Sequence, residues 1–270
     1  SGWNMISTYV EPIDKTMDSI WFNILNSVNL VKDISGKSYI PSFNINQIGD
    51  WNKYQGYQVF MSQNKTLEIN GTELEPENTS ISLSSGWSMI PYLRKTDQSI
   101  VTSLATLTND NALNIAKDIS GKSYIPQFGI NQIGNMQPGQ GYQAFLVKNA
   151  TLTYPANSSG RVLAQAISPM PKYLIPEYNR TGNSAVAIFS IDANDGDEIG
   201  IFNRSGELIG SGAIKNNLTA VTIWGDNSQT PNIDGAVFNE ELTVKYFNSR
   251  TNKFENIELS NITDYLSGNE

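Results

Sequence analysis

The chain has 270 residues and a net charge of −8, with 39% hydrophobic and 16% charged residues and neither cysteine nor histidine. Those two absences exclude Ser-His-Asp and Cys-His nucleophile systems and imidazole or thiolate metal sites, which leaves only hard oxygen sites for a metal. The acidity disfavours nucleic acid and anionic membrane surfaces, both of which call for clustered Lys and Arg, and no apolar run approaches the ~20 residues that span a bilayer.

From the N-terminus, residues 2–7 read as a short strand with Trp3, Met5 and Ser7 on one face, stopped by Pro12. Met17, Ile20, Trp21, Ile24, Leu25 and Val28 then recur at helical spacing, with Asp14 or Thr16 placed as the cap and Trp21 in the middle of the apolar stripe. Residues 30–34 and 37–40 are alternating runs separated by Ser35 and Gly36, a pattern that predicts a β-hairpin with a positive φ at Gly36. Further strands are expected at 56–61, 66–69 and 79–83, separated by polar turns.

The chain then repeats itself. Residues 32–60 read KDISGKSYIPSFNINQIGDWNKYQGYQVF, and residues 117–145 read KDISGKSYIPQFGINQIGNMQPGQGYQAF. SGWNMI at the N-terminus reappears as SGWSMI at 85–90. Roughly two-thirds of the aligned long stretch is identical, at an offset of about 85 residues, and self-similarity of that kind marks a duplicated structural unit. The second copy places Thr96 to cap a helix carrying Ile100, Val101, Leu104 and Leu107, with the hairpin turn at Ser120 and Gly121. Two homologous small α+β modules, each of antiparallel strands and one helix, are therefore expected at 1–84 and 85–160.

Composition shifts to Pro, Asn, Ser and Gly over about 155–182, where residues 161–166 form one candidate strand inside a linker. Beyond it, alternating runs at 185–191, 198–202, 207–214, 218–224, 242–247 and 254–259, with Ser-Gly and Asp-Gly turns, predict a β-sandwich over 161–270. The chain as a whole reads as mainly β.

Four constellations carry possible chemistry. Lys32, Asp33 and Lys37 of the duplicated turn suit an anion or an acid–base role, or else a hairpin with charges on its wet face. Asp192, Asn194, Asp195 and Asp197 place oxygens at alternate positions around Gly196, which suits Ca²⁺ and equally an acidic inter-strand turn, and Asp226, Asn227 and Asp234 form a second polar loop. The loop 50–55 differs most between the copies. Its Trp51 and Tyr54 are candidates for stacking on a sugar ring or a partner, with a packed Trp51 as the alternative. No two of the 26 acids stand isolated in an apolar setting as glycoside hydrolysis requires.

The phrases GWNMIS, LVKDISGKSYIP, INQIG and GNMQPGQGYQAF resemble a repeated module in large secreted and surface proteins of Bacteroidota and related bacteria. The running order DEIGIF, GELIGSG, IWGD and IDGA after residue 196 is similar to a C-terminal domain from the same group. The resemblance implies an extracellular or cell-surface location, often with export by the type IX system. It also implies a non-catalytic structural and adhesive protein whose partners are copies of itself, other surface proteins or glycans. Two further expectations are a subunit of a self-assembling extracellular filament or sheath, and the accessory glycan-binding region of a secreted polysaccharide hydrolase.

Overall fold

The structure, a computed structural model, describes residues 1–157, 166–178, 180–255 and 262–268. Most of the candidate strand at 161–166, and the end of the one at 254–259, lie outside the described residues. The protein is mainly β, and by contacts it divides into two compact units. The first holds residues 1–119, 124–127 and 133–166, and the second holds 120–123, 128–132 and 167–270.

The two repeats share one sheet topology. In the first, the strand order is Gly2–Ile6, Tyr57–Met61, Val28–Lys32, Ser38–Ile40, Ile45–Asn46. In the second, it is Gly86–Pro91, Gly141–Leu146, Leu113–Lys117, Ser123–Ile125, Ile130–Asn131. All neighbours whose pairing is described in the first sheet are antiparallel, so successive residues alternate between faces. In the first repeat Tyr57, Val59 and Met61 face a core formed with Met17, Ile20 and Trp21. The opposite face carries the same residue types in both copies: Trp3 and Trp87, Lys32 and Lys117, Phe60 and Phe145.

The helices differ from the sequence expectation. Only Met17–Trp21 is α-helical, with Thr16 Oγ1 accepting from the Ser19 N–H, and the chain tightens into a 3₁₀ helix over Phe22–Ser27 before the Val28–Lys32 strand begins. Asn23 and Asn26, poor helix formers whose side chains compete for backbone partners, interrupt the apolar stripe there. In the second repeat two short helices, Ile100–Ser103 and Ala105–Asn109, replace one. Thr96 does not cap them; it accepts from Tyr92 Oη through its carbonyl and from Arg94 through Oγ1. Residues 66–69 form no strand, and the strand instead follows at Gly71–Glu73, paired with Val10–Pro12.

Within the first unit the repeats join in a roughly two-fold arrangement. The end of each repeat's first strand lies against the glycine that opens the other repeat's Gly-Tyr-Gln strand. Gly56 N–H donates to Met89 O at 2.8 Å, while Ile6 bridges to Gln140 and Ser7 N–H donates to Gly139 O at 3.0 Å. Ser7 Oγ closes the joint by donating to Gln140 O and accepting from Tyr92 N–H.

The C-terminal strands depart from the expected sandwich. They are hydrogen-bonded into one sheet of seven, in the order Lys253–Glu255, Thr243–Asn248, Glu198–Phe202, Leu208–Ala213, Leu218–Trp224, Ser184–Ser190, Ile262–Gly268. Every adjacent pair is antiparallel, and the ladder has no break at which a second stacked sheet would start. Its core holds Phe189, Ile199, Ile201, Val221 and Ile223.

Candidate functional site

The duplicated turn uses its acid to build itself. Asp33 Oδ1 accepts from Ser35 N–H (2.9 Å), Ser35 Oγ (2.8 Å) and Lys37 N–H (2.9 Å), and Gly36 takes φ +81°. Lys37 stays exposed, while Lys32 turns its ammonium to the Trp3 ring, 5.3 Å from the centroid. Lys117 does the same over Trp87 at 4.8 Å. Burial lowers the pKa of Lys32 and pulls that of Lys117 down to about 8.

The acidic turn separates its residues instead of converging them. Asp192, Asn194 and Asp195 are exposed, and Asp195 Oδ1 accepts from Asn216 N–H at 2.7 Å. Asp197 is fully buried and both its oxygens are engaged: Oδ1 by Ser249 N–H and Oγ, Oδ2 by Tyr246 Oη and Asn194. Burial alone would raise its pKa, but the hydrogen bonds from Tyr246, Ser249 and Asn194 outweigh it and hold the group at about 2. The neighbouring Glu198 points elsewhere. It is buried too, and the consecutive N–H groups of Lys172, Tyr173 and Leu174 donate to its carboxylate. Asp234 is bonded within its own loop, to Asn227 N–H and Thr230 Oγ1. Among the described residues no three acidic side chains form a group able to hold a metal ion. The four residues proposed from sequence as a calcium site therefore act as separate staples, with Asp197 the principal one.

Trp51 and Tyr54 part company as well. Trp51 is 3% exposed, in the first repeat's core, with its ring 4.4 Å from Tyr57 and 6.4 Å from Trp21, so it is not a surface platform. The same buried position is Met136 in the second repeat. Tyr57 also anchors the loop, its hydroxyl accepting from Asn52 N–H at 2.8 Å as Tyr142 accepts from Gln137 N–H at 2.8 Å. Tyr54 is the exposed ring, with Lys53 Nζ 5.2 Å from its centroid. Lys53 in turn pairs with Glu11, whose pKa is lowered by its bonds to Lys15 and Lys53.

Sequence reasoning missed a cleft of about 350 Å³ in the first repeat. Its apolar lining is Ile6, Trp21, Ile24, Val59, Met61 and Leu67, and Asn4, Gln63, Asn64 and Lys65 form the polar part. Trp21 is buried, and its indole Nε1–H has no acceptor. A buried donor left unpaired is costly, which makes this the one apolar recess in the first repeat with an unmet polar requirement at its wall.

No family model, curated protein or solved structure matches the chain.

Proposed function

We propose that the chain is a non-catalytic structural and adhesive part of an extracellular or cell-surface protein, built from two homologous α+β modules and a β domain that present loops and edges for contact. The observation that carries this reading is where the charged groups are spent. Asp33, Asp197 and Glu198, the acids best placed for chemistry, each accept several hydrogen bonds that hold the backbone. A carboxylate so occupied is a scaffold element, not a poised base. Exposed apolar groups meanwhile sit on turns and an edge of the first repeat: Ile13, Phe22, Phe43 and Tyr54.

The filament or sheath reading is favoured by one specific feature. Ile45–Asn46 is the outermost strand of its sheet, with Ile45 38% and the adjacent Phe43 74% exposed. An unpaired apolar edge of this kind is a template for association. Both readings are tested on the full chain by light scattering across concentration and by retention on insoluble polysaccharides. Phe43→Ser with Ile45→Ser is expected to weaken self-association, and Tyr54→Ala to weaken glycan retention, each in a folded protein. Hydrolysis of a polysaccharide by the wild type, insensitive to these changes, would overturn the non-catalytic reading in favour of an enzyme.

A further inference from the structure

The core of the second repeat is completed by a strand that precedes it. Ile81–Leu83 pairs antiparallel with Ala150–Leu152, Leu83 opposite Ala150 and Ile81 opposite Leu152. Ile81 and Leu83 are both buried, in one cluster with Leu104, Leu107 and Leu152. The acceptor side of this arrangement is present in the first repeat. Asn64, Lys65, Thr66 and Leu67 align with Asn149, Ala150, Thr151 and Leu152. Asn64 Oδ1 accepts from the Ser1 amine just as Asn149 Oδ1 accepts from Ser85 N–H.

The difference is in what lies alongside. Residues 65–67 pair with no strand, Lys65 is exposed and Leu67 is only half-buried, whereas Leu152 is fully buried. The cleft runs along these residues, floored by the side chains that form the near wall of the core, and Trp21 brings its unpaired indole N–H to it. The recess thus has the components of a strand site: open backbone on one side, an apolar slot beneath, and a donor without an acceptor.

We propose that this cleft accepts a β-strand from a separate polypeptide, carrying two aliphatic side chains at alternate positions as Ile81 and Leu83 do. Alternation sends both side chains into the slot while the backbone pairs with residues 65–67, the mode by which extended segments add to an open sheet edge. The inference stands apart from the adhesive reading, since it concerns one slot and one kind of segment, whatever surface the protein contacts.

The test uses the full chain and its own donor sequence in trans. A capped peptide TSISLS, residues 79–84, is titrated into the ¹⁵N-labelled protein. Saturable shifts are expected at the amides of 63–67 and at the Trp21 indole N–H. A peptide with Ile81→Asp and Leu83→Asp should bind at least tenfold more weakly. The chain variant Leu67→Arg, at a half-buried rim position, should lose the shifts while keeping the dispersion of a folded protein. Absence of shifts up to millimolar peptide, equal binding of the Asp peptide, or shifts confined to 150–152 would each overturn the proposal. A dimer whose 63–67 amides are protected without peptide would assign the slot to a second copy instead, and would overturn it as well.

Discussion

Gly56 and Gly141 meet where the two repeats join. A Cβ built on Gly56 would stand 3.5 Å from the Gly141 Cα and 3.2 Å from the Ile90 carbonyl oxygen, and one built on Gly141 would stand 2.8 Å from the Ile6 carbonyl oxygen. The duplicated Gly-Tyr-Gln phrase therefore needs glycine for lack of room, since each copy's backbone lies against the other's.

The two positions should not respond alike. Gly141→Ala puts a methyl group against backbone that cannot swing aside, and a cost of about 1–3 kcal/mol is expected. Gly56→Ala meets a looser contact and should cost less. Urea midpoints of the two variants, at unchanged slope, check the order.

Trp51→Ala should behave as a core truncation, costing about 3–5 kcal/mol. Trp51→Met should be much milder, because Met136 fills the corresponding place in the second repeat. Tyr54→Ala is expected to stay within about 0.5 kcal/mol of the wild type. Thermal and urea unfolding of the three variants would separate the buried ring from the exposed one.

Asp197 predicts an acid limb in the stability profile. Its pKa falls from 3.8 to about 2 on folding, so its contribution is complete above 3.8 and is lost as pH falls towards 2. The loss amounts to about 2 kcal/mol, and Asp197→Asn should flatten the profile in that window while lowering stability at neutral pH. Calcium at millimolar concentration should leave the melting temperature unchanged, because both Asp197 oxygens are already engaged. A calcium-dependent rise would count against the staple assignment.

Lys117 predicts the opposite limb. Burial lowers its pKa from 10.5 to about 8, so between those values the unfolded chain binds more protons and stability rises with pH. A gain of about 2 kcal/mol by about pH 9.5 follows from the linkage relation, before the tyrosines begin to ionise. Lys117→Met should remove the slope, as read from urea midpoints at a series of pH values.

The turn at 33–37 was legible because Asp, Ser and Gly at those spacings specify their own local bonds. Trp51 was half legible: aligning the copies places it opposite Met136, and an apolar residue at both positions signals a core. The calcium-like turn misled because the donors that occupy its acids come from far along the chain, Lys172–Leu174 for Glu198 and Tyr246 and Ser249 for Asp197. Alternating runs look the same whether their strands share one ladder or two, so the single C-terminal sheet was not readable from pattern. Residues 66–69 read as a strand because the second copy has one there, yet a strand also needs a neighbour, and that neighbour is not set by the residues themselves. The cleft follows from the same omission.

The strand Ile81–Leu83 separates two boundaries that sequence comparison treats as one. The stretch that was copied begins again at Ser85, yet the hydrophobic interior of the second copy begins earlier, at Ile81, with Leu74 packed against it. The segment between the copies is thus shared property, and opening it to solvent uncovers the interior of the second repeat while loosening the tail of the first. The pair is built to melt together, and a boundary drawn at the sequence repeat would divide a cooperative unit through its own core.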